Sequence, residues 1–451
     1  MMKLKVAGRY LACSDGSPFF YLGDTAWELF HRLSREEIAY YMAERARQGF
    51  NAVQAVALSE FEGVTEPNVY GRLPLLFTAD LPDPCRPDEE EGYNYWQHVD
   101  FAVREAEKHN LFITMLPTWG DKFNQLWGKG PVIFNRENAY TYGKWIGKRY
   151  RDNWNIIWML GGDRPLEKEH RAVIDAMAEG IKAGDEGGHL ITFHPPGGHN
   201  STEYTGDVPY IDFHTSQTGH GARECYFSWL VMESMAAATD KPYMDSEPRY
   251  EDHPACFKVE YGYLWNEDDV RQNAYWDVLS GACGHTYGNH SIWSFNRTKQ
   301  EYYPYLWNEA LLHPGAEQIG FVKKLRESRD YFSYKPMPDL TEQNGALSAH
   351  IASGAGKGYA MAYSPLGLPF TVHGGKMKSP NLKASWFDPR TGGETVFGIY
   401  PSGHDIQFVP PTQGKGRDWV LILDELAQVE GKVAGFPDGI SGHKQKGHNA
   451  L

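Results

Sequence analysis

Between residues 19 and 330 the chain alternates short apolar runs with longer amphipathic stretches, eight times over. The runs span 19–27, 50–58, 111–119, 156–163, 190–195, 210–217, 242–247 and 285–289. Several are apolar on successive residues, as in Ile156-Ile157-Trp158-Met159-Leu160. That is the pattern of strands buried on both faces of a parallel sheet. The stretches between them carry helix signals. Ser34-Arg35-Glu36-Glu37 is a capping box, with Ile38, Tyr41 and Met42 on one face behind it and Gly49 as the stop. Val173, Ile174, Met177 and Ile181 share a face of another expected helix. Asn266 precedes Glu267-Asp268-Asp269, acids placed where a helix dipole favours them. The whole predicts an α/β fold, a (β/α)8 TIM barrel. A doubly wound sheet is the alternative, but no Gly-x-Gly-x-x-Gly follows the first run.

After Tyr334 the pattern changes. Pro336 and Pro338 mark a linker, and short alternating runs separated by Gly, Pro and Asn turns follow. They predict a small C-terminal antiparallel β-sandwich. The expected organisation is a catalytic barrel over 1–334, a sandwich over 335–425 and a polar tail over 426–451. The loop after the second run, about 59–93, is long and holds Pro67, Pro74, Pro82, Pro84 and Pro87. A loop of that length reads as functional or disordered. Its acidic run Asp88-Glu89-Glu90-Glu91 reads as a solvated patch or the start of the next helix.

Several function classes drop out. A net charge of −14 disfavours a nucleic-acid surface. No apolar run is long enough to span a membrane. The five cysteines are scattered, without a Cys-x-x-Cys pair, which disfavours a zinc ribbon or disulfide scaffold. The first residues turn polar at once, so the expectation is a cytoplasmic protein, or an exported one if a leader was removed. No cofactor and no metal is expected, and a homo-oligomer is left open. Aromatics reach 14%, with 14 Trp and 27 Tyr. Such rings serve a large core, or stack on sugar C–H faces; only position distinguishes the two.

In a barrel, functional groups gather at the C-terminal strand ends. Read there, the sequence offers Asp24 and Trp27, Trp119, Asp163, His194, His214 and Gln217, Glu247, then Tyr287 and Trp293. Acids, hydrogen-bonding groups and flat rings together suit a carbohydrate substrate. Glycoside hydrolysis needs two carboxyls, one to protonate the leaving oxygen and one to attack the anomeric carbon or activate water. The expectation is Asp163 as acid/base and Glu247 as nucleophile, with Asp245, two residues earlier, as runner-up nucleophile. The remaining residues are substrate-binding candidates. Each has a structural counterpart: Asp163 as a helix cap, Glu247 paired with Arg249 or Arg164, Asp24 capping a turn, and the histidines and tryptophans as packing.

The stretches 21–30 (Tyr-Leu-Gly-Asp-Thr-Ala-Trp-Glu-Leu-Phe), 158–163 (Trp-Met-Leu-Gly-Gly-Asp), 192–195 (Thr-Phe-His-Pro) and 245–251 (Asp-Ser-Glu-Pro-Arg-Tyr-Glu) resemble the apiosidase-like glycoside hydrolases. So do Gly49-Phe50-Asn51-Ala52-Val53-Gln54, the approach 281–288 to the last strand with Arg271 before it, and Trp386-Phe387-Asp388-Pro389-Arg390-Thr391-Gly392 in the small domain labelled collagen-binding in that family. The resemblance implies exo-hydrolysis of a terminal sugar, apiose in the characterised branch, from plant pectin side chains. It puts the family's catalytic Asp and Glu on Asp163 and Glu247. The competing readings are a metal-dependent barrel hydrolase, prompted by His194, His199, His214 and His220, and a non-catalytic carbohydrate-binding protein.

Overall fold

The computed structural model describes residues 3–221, 226–342, 345 and 347–426. Cys225 and the expected tail beyond Leu426 lie outside the described residues. Eight parallel strands form the barrel: β1 Tyr21–Thr25, β2 Ala52–Val56, β3 Phe112–Leu116, β4 Ile156–Gly161, β5 Ile191–His194, β6 His214–Gln217, β7 Tyr243–Asp245 and β8 Gly284–Tyr287. They are hydrogen-bonded in the order β5-β4-β3-β2-β1-β8-β7-β6, with the short segment His199–Asn200 antiparallel to β6.

The helices that follow these strands are α1 Arg35–Arg47, α2 Tyr95–Lys108, α3 Arg136–Tyr150, α4 Lys168–Asp185, α5 Thr202–Thr205, α6 Tyr226–Ala238, α7 Glu267–Leu279 and α8 Pro314–Glu327. The capping box of α1 forms as its sequence predicts: Ser34 Oγ accepts from Glu37 N, and the Glu37 carboxylate accepts from Ser34 N at 2.8 Å. Asn266 caps α7 in the same way. Val173, Ile174, Met177 and Ile181 are all buried on one side of α4. Among the described residues no helix is long and apolar enough to cross a membrane.

The crossover between β5 and β6 departs from the expected repeat, since α5 is a single turn. The two strands do not share a ladder. Their seam is closed mostly by side chains: Thr192 Oγ1 donates to Phe213 O at 2.6 Å, Thr215 Oγ1 to Phe193 O at 2.5 Å, and Asp212 Oδ2 accepts from Ile191 N at 2.8 Å, while Asp212 N donates to Ile191 O at 2.8 Å.

The long loop after β2 is partly ordered into a hairpin, Leu75–Thr78 against Leu81–Pro87. Three of its prolines fall in that two-stranded ribbon, whose free edges tolerate a missing N–H. Three residues of its acidic run, Glu89, Glu90 and Glu91, are exposed as a solvated patch would be, and the run does not start a helix. Asp88 is buried and its Oδ1 accepts from Glu90 N, while α2 begins only after the Asn94 cap.

The C-terminal domain is an antiparallel sheet of β9 Ala352–Gly356, β10 Tyr359–Ser364, β12 Asn381–Asp388, β13 Gly393–Pro401 and β15 Trp419–Glu425, in the order β9-β10-β15-β12-β13, with Lys335–Pro336 on its outer edge. A second layer is only a ribbon, β11 Phe370–His373 with β14 Asp405–Phe408. Strand alternation explains how this thin sandwich is stabilised. Tyr359, Met361, Tyr363, Val420 and Ile422 join the barrel's core, while Ala360, Ala362, Leu421 and Leu423 face the ribbon. Both faces of the central strands are thus withdrawn from water.

Candidate active site

The barrel interior is layered. Tyr21 OH and Thr114 Oγ1 lie 2.8 Å apart, and Gln54 Nε2 donates to Thr286 Oγ1 at 2.7 Å. A separate apolar layer, formed by Trp27, Val56, Leu116, Trp119 and Met159, has Trp293 packed against it. Trp27, Trp119 and Trp293 also line a cavity of about 830 Å³, whose other lining residues lie beyond the C-terminal ends of the strands. Of the residues singled out in the sequence, Asp163, Glu247, Trp27, Trp119, Gln217 and Trp293 line it, as do His199 and His220 of the metal-dependent reading. The unpartnered atoms Trp119 Nε1 and Gln217 Oε1 are buried polar groups in this wall.

Asp163 reaches the cavity through a sharp turn after β4. Gly161 and Gly162 have φ of 92° and 108°, and a Cβ on either would strike backbone, at His194 O or Gly120 N. Asp163 itself is left-handed at φ 63°, a region aspartate tolerates better than most residues. Its Oδ2 accepts from Trp127 Nε1 at 3.1 Å and from Arg164 at 3.0 Å. The Arg164 guanidinium in turn lies 4.2 Å from the Trp127 ring centre. Burial, and then the negative charge of Glu247, raise the Asp163 carboxyl above its ordinary range, against the pull of Arg164 and His194.

Glu247 lies two residues past β7. Its Oε1 is 3.2 Å from His220 Nε2, and its Oε2 is 3.0 Å from His194 Nε2, off the line of a regular hydrogen bond. Burial alone would raise this carboxyl, but the two imidazoles outweigh it and hold it down, at about 2. His194 therefore backs Glu247 rather than lining the cavity, wedged beside Trp27 and Trp119 at 5.3 and 5.6 Å between ring centres.

Four further strand residues do not reach the cavity. Asp24 is fully buried on the outer side of β1, bonded to Tyr41 OH and, at 2.6 Å, to Arg45 Nε of α1. Tyr287 faces the same layer and donates to Glu251 Oε2 at 2.5 Å. His214 pairs with Ser201 Oγ at 2.9 Å, and burial lowers its imidazole to about 4. Asp245, the runner-up nucleophile, accepts from Thr218 Oγ1 at 2.5 Å and from Glu247 N at 3.2 Å. Burial, then the charge of Asp277 on α7, push it up to about 7. Asp24, His214 and Tyr287 are thus corrected from substrate-binding candidates to wall-forming residues, and Asp245 shapes the turn that delivers Glu247.

The loops add wall residues beyond the catalytic and substrate-binding candidates. His220, His253 and His290 run along one wall, with ring centres 4.4 Å and 4.3 Å apart, and His290 stacks on Tyr303. Burial first, then His220, depress His253 and His290. Trp127 and Glu60 face the cavity from the loops after β3 and β2. Among the described residues no group of three or more His, Cys, Asp or Glu is disposed to hold a metal ion.

Residues 5–333 match the family model described as "Apiosidase-like, catalytic domain", and residues 338–424 match one described as "Putative collagen-binding domain of a collagenase". No curated protein matches the chain. Among solved structures, one described as a glycoside hydrolase is 32% identical, with a TM-score of 0.84 over 94% of this chain and 97% of its own. A glycoside hydrolase family 5 structure from Bacteroides vulgatus is 31% identical, with a TM-score of 0.86 over 96% and 95%. A barrel with two carboxyls facing one aromatic cavity, matched over nearly its whole length by glycoside hydrolases, is a glycosidase, and the chain belongs to the apiosidase-like family.

Proposed function

We propose that this glycoside hydrolase is a retaining, exo-acting enzyme, with Glu247 as nucleophile and Asp163 as general acid/base. Its proposed substrate is a terminal sugar, apiose-like or a related pentose or deoxyhexose, on plant-derived oligosaccharides or glycosides. The observation that carries the mechanism is the opposite displacement of two carboxyls on one cavity. Asp163 is raised by burial and by Glu247, while Glu247 is held low by His194 and His220. A carboxyl that keeps its proton can donate to the leaving oxygen; one that stays ionised can attack carbon. In the proposed cycle Glu247 attacks the anomeric carbon as Asp163 transfers its proton to the departing oxygen. Asp163 then takes a proton from water, which displaces Glu247 and releases the sugar with its configuration retained.

The positioning groups fit that division of work. Trp127 and Arg164 hold one Asp163 oxygen, and Trp27, Trp119 and Trp293 offer faces to the sugar ring. The test is turnover of aryl glycosides and pectin-derived oligosaccharides by the intact protein, Glu247→Gln and Asp163→Asn. Glu247→Gln should lose at least about 10³-fold in kcat, in line with removal of a covalent nucleophile. Asp163→Asn should lose far less on a dinitrophenyl glycoside, whose leaving group needs no proton, than on an oligosaccharide. Near-normal turnover by Glu247→Gln would end the assignment. Proton NMR of the first-formed anomer distinguishes retention from inversion.

A further inference from the structure

Glu60 is a third carboxyl on the cavity, and the mechanism above does not use it. It follows the end of β2 by four residues, and its backbone is pinned on both sides. Leu58 O accepts from Trp119 N at 3.0 Å, Ser59 Oγ donates to Glu28 at 3.1 Å, and Glu60 O accepts from Gly63 N at 3.1 Å. Phe61, next in the chain, is left-handed at φ 51° and stacks on Trp293 with ring centres 5.5 Å apart. A bulky residue in that conformation is a backbone outlier sustained by its surroundings. It anchors the loop at the point from which Glu60 lines the cavity. Yet the Glu60 carboxyl has no hydrogen-bond or ion-pair partner among the described residues. Its electrostatic neighbours are mostly acids, Glu28, Asp163 and Asp121, which with burial push it well above its ordinary range.

Among the cavity's described lining residues there is no Lys or Arg. Arg164 is fully buried behind Asp163, and Lys122 is fully buried against Asp121. Of the imidazoles on the wall, His199 is paired with Glu203, His220 is engaged with Glu247, and burial keeps His253 and His290 toward the neutral form. Among the described lining residues a carboxylate on the glycone would meet the ionised Glu247 and no Lys or Arg, whereas a hydroxyl would find in Glu60, held toward its neutral form, both a donor and an acceptor.

We propose that Glu60 is a specificity-determining residue, one that hydrogen-bonds a hydroxyl of a neutral glycone in a place where a uronate would find no counter-ion. This rests on the glycosidase reading and narrows its substrate class. The experiment is a panel of 4-nitrophenyl glycosides, neutral pentosides and deoxyhexosides beside galacturonide and glucuronide, with the intact protein, Glu60→Gln and Glu60→Ala. The wild type should turn over a neutral glycoside and discriminate against both uronides. Glu60→Ala should lose about tenfold in kcat/KM on the neutral substrate, the upper end for one uncharged hydrogen bond, and Glu60→Gln, which keeps a donor and an acceptor, should lose less. The uronides should not fall in parallel, so the ratio narrows. Melting temperatures should hold or rise, because the native carboxyl has no partner to lose. Unchanged kcat/KM in both variants, or wild-type turnover of a uronide matching its neutral counterpart, would overturn the proposal while leaving the glycosidase reading in place. If no glycoside on the panel or among pectin oligosaccharides is cleaved, the glycosidase mechanism falls and this inference with it.

Discussion

Glu247 sits between two imidazoles, and its pH behaviour follows from that contact. The acid limb of kcat/KM reports protonation of the nucleophile, and the basic limb reports loss of the Asp163 proton. With Glu247 held at about 2, the acid limb should lie below the ordinary carboxylate range. His220→Asn removes the partner 3.2 Å from Oε1. The carboxylate then loses a stabilising contact, its pKa rises, and the acid limb moves to higher pH by about one to two units. The readout is the pH profile on an aryl glycoside; an unmoved limb would mean that another group sets it. At this scale the sequence marked the two acids because both lie just past strand ends. It misjudged Asp24, His214, Asp245 and Tyr287 for one shared reason. Side chains alternate along a strand, and these four have the outward parity, toward α1, Ser201, α7 and Glu251. Glu247 shares Asp245's parity, but β7 ends at Asp245 and the turn that follows brings Glu247 to the cavity. His220, His253, His290 and Glu60 come from loops, where no period tells inside from outside.

Elements were more legible than residues, since apolar periodicity and caps are local. The expected strand runs overshoot the real ones: 19–27 contains β1 as Tyr21–Thr25, and its last residue, Trp27, belongs to the cavity floor. Hydrophobic residues serve that floor as well as the sheet, so composition alone cannot mark where a strand stops. The β5–β6 seam was not legible at all, because a threonine hydroxyl bonded to a carbonyl leaves no pattern in the chain. The seam gives a prediction of its own. Thr192→Val and Thr215→Val keep shape but each removes a fully buried hydrogen bond to the neighbouring strand. Each should destabilise by about 1–3 kcal/mol, the scale for a buried polar group left unpaired. The double variant should exceed either single one, read as a shift in the urea midpoint. A neutral result for both would mean that packing and the Asp212–Ile191 hydrogen bonds hold the barrel closed there.

Across the whole molecule, the C-terminal domain is bound to the barrel through α7. Arg271 donates to Asp418 from Nε at 2.9 Å and from its terminal nitrogen at 2.6 Å, both groups being buried. Tyr363 OH donates to the same carboxylate at 3.1 Å, and its ring stacks on Tyr275 with centres 5.1 Å apart. Trp276 Nε1 donates to His350 O at 2.8 Å. The sheet therefore covers an α7 face that would otherwise meet water. It contributes nothing to the cavity, whose described lining residues all fall between Trp27 and Tyr303. Stability and catalysis should separate on that ground. Asp418→Asn leaves the Arg271 charge buried against a weaker acceptor, a change of about 3–5 kcal/mol when one partner of a buried ion pair is removed. Calorimetry should show the melting transition lowered or split into two as the domains uncouple. At 25 °C kcat/KM on an aryl glycoside should stay within about twofold of the parent, since less than about 0.5 kcal/mol would reach the site. A loss of turnover with an unchanged melting profile would give the small domain a part in shaping the cavity, against the placement of its residues.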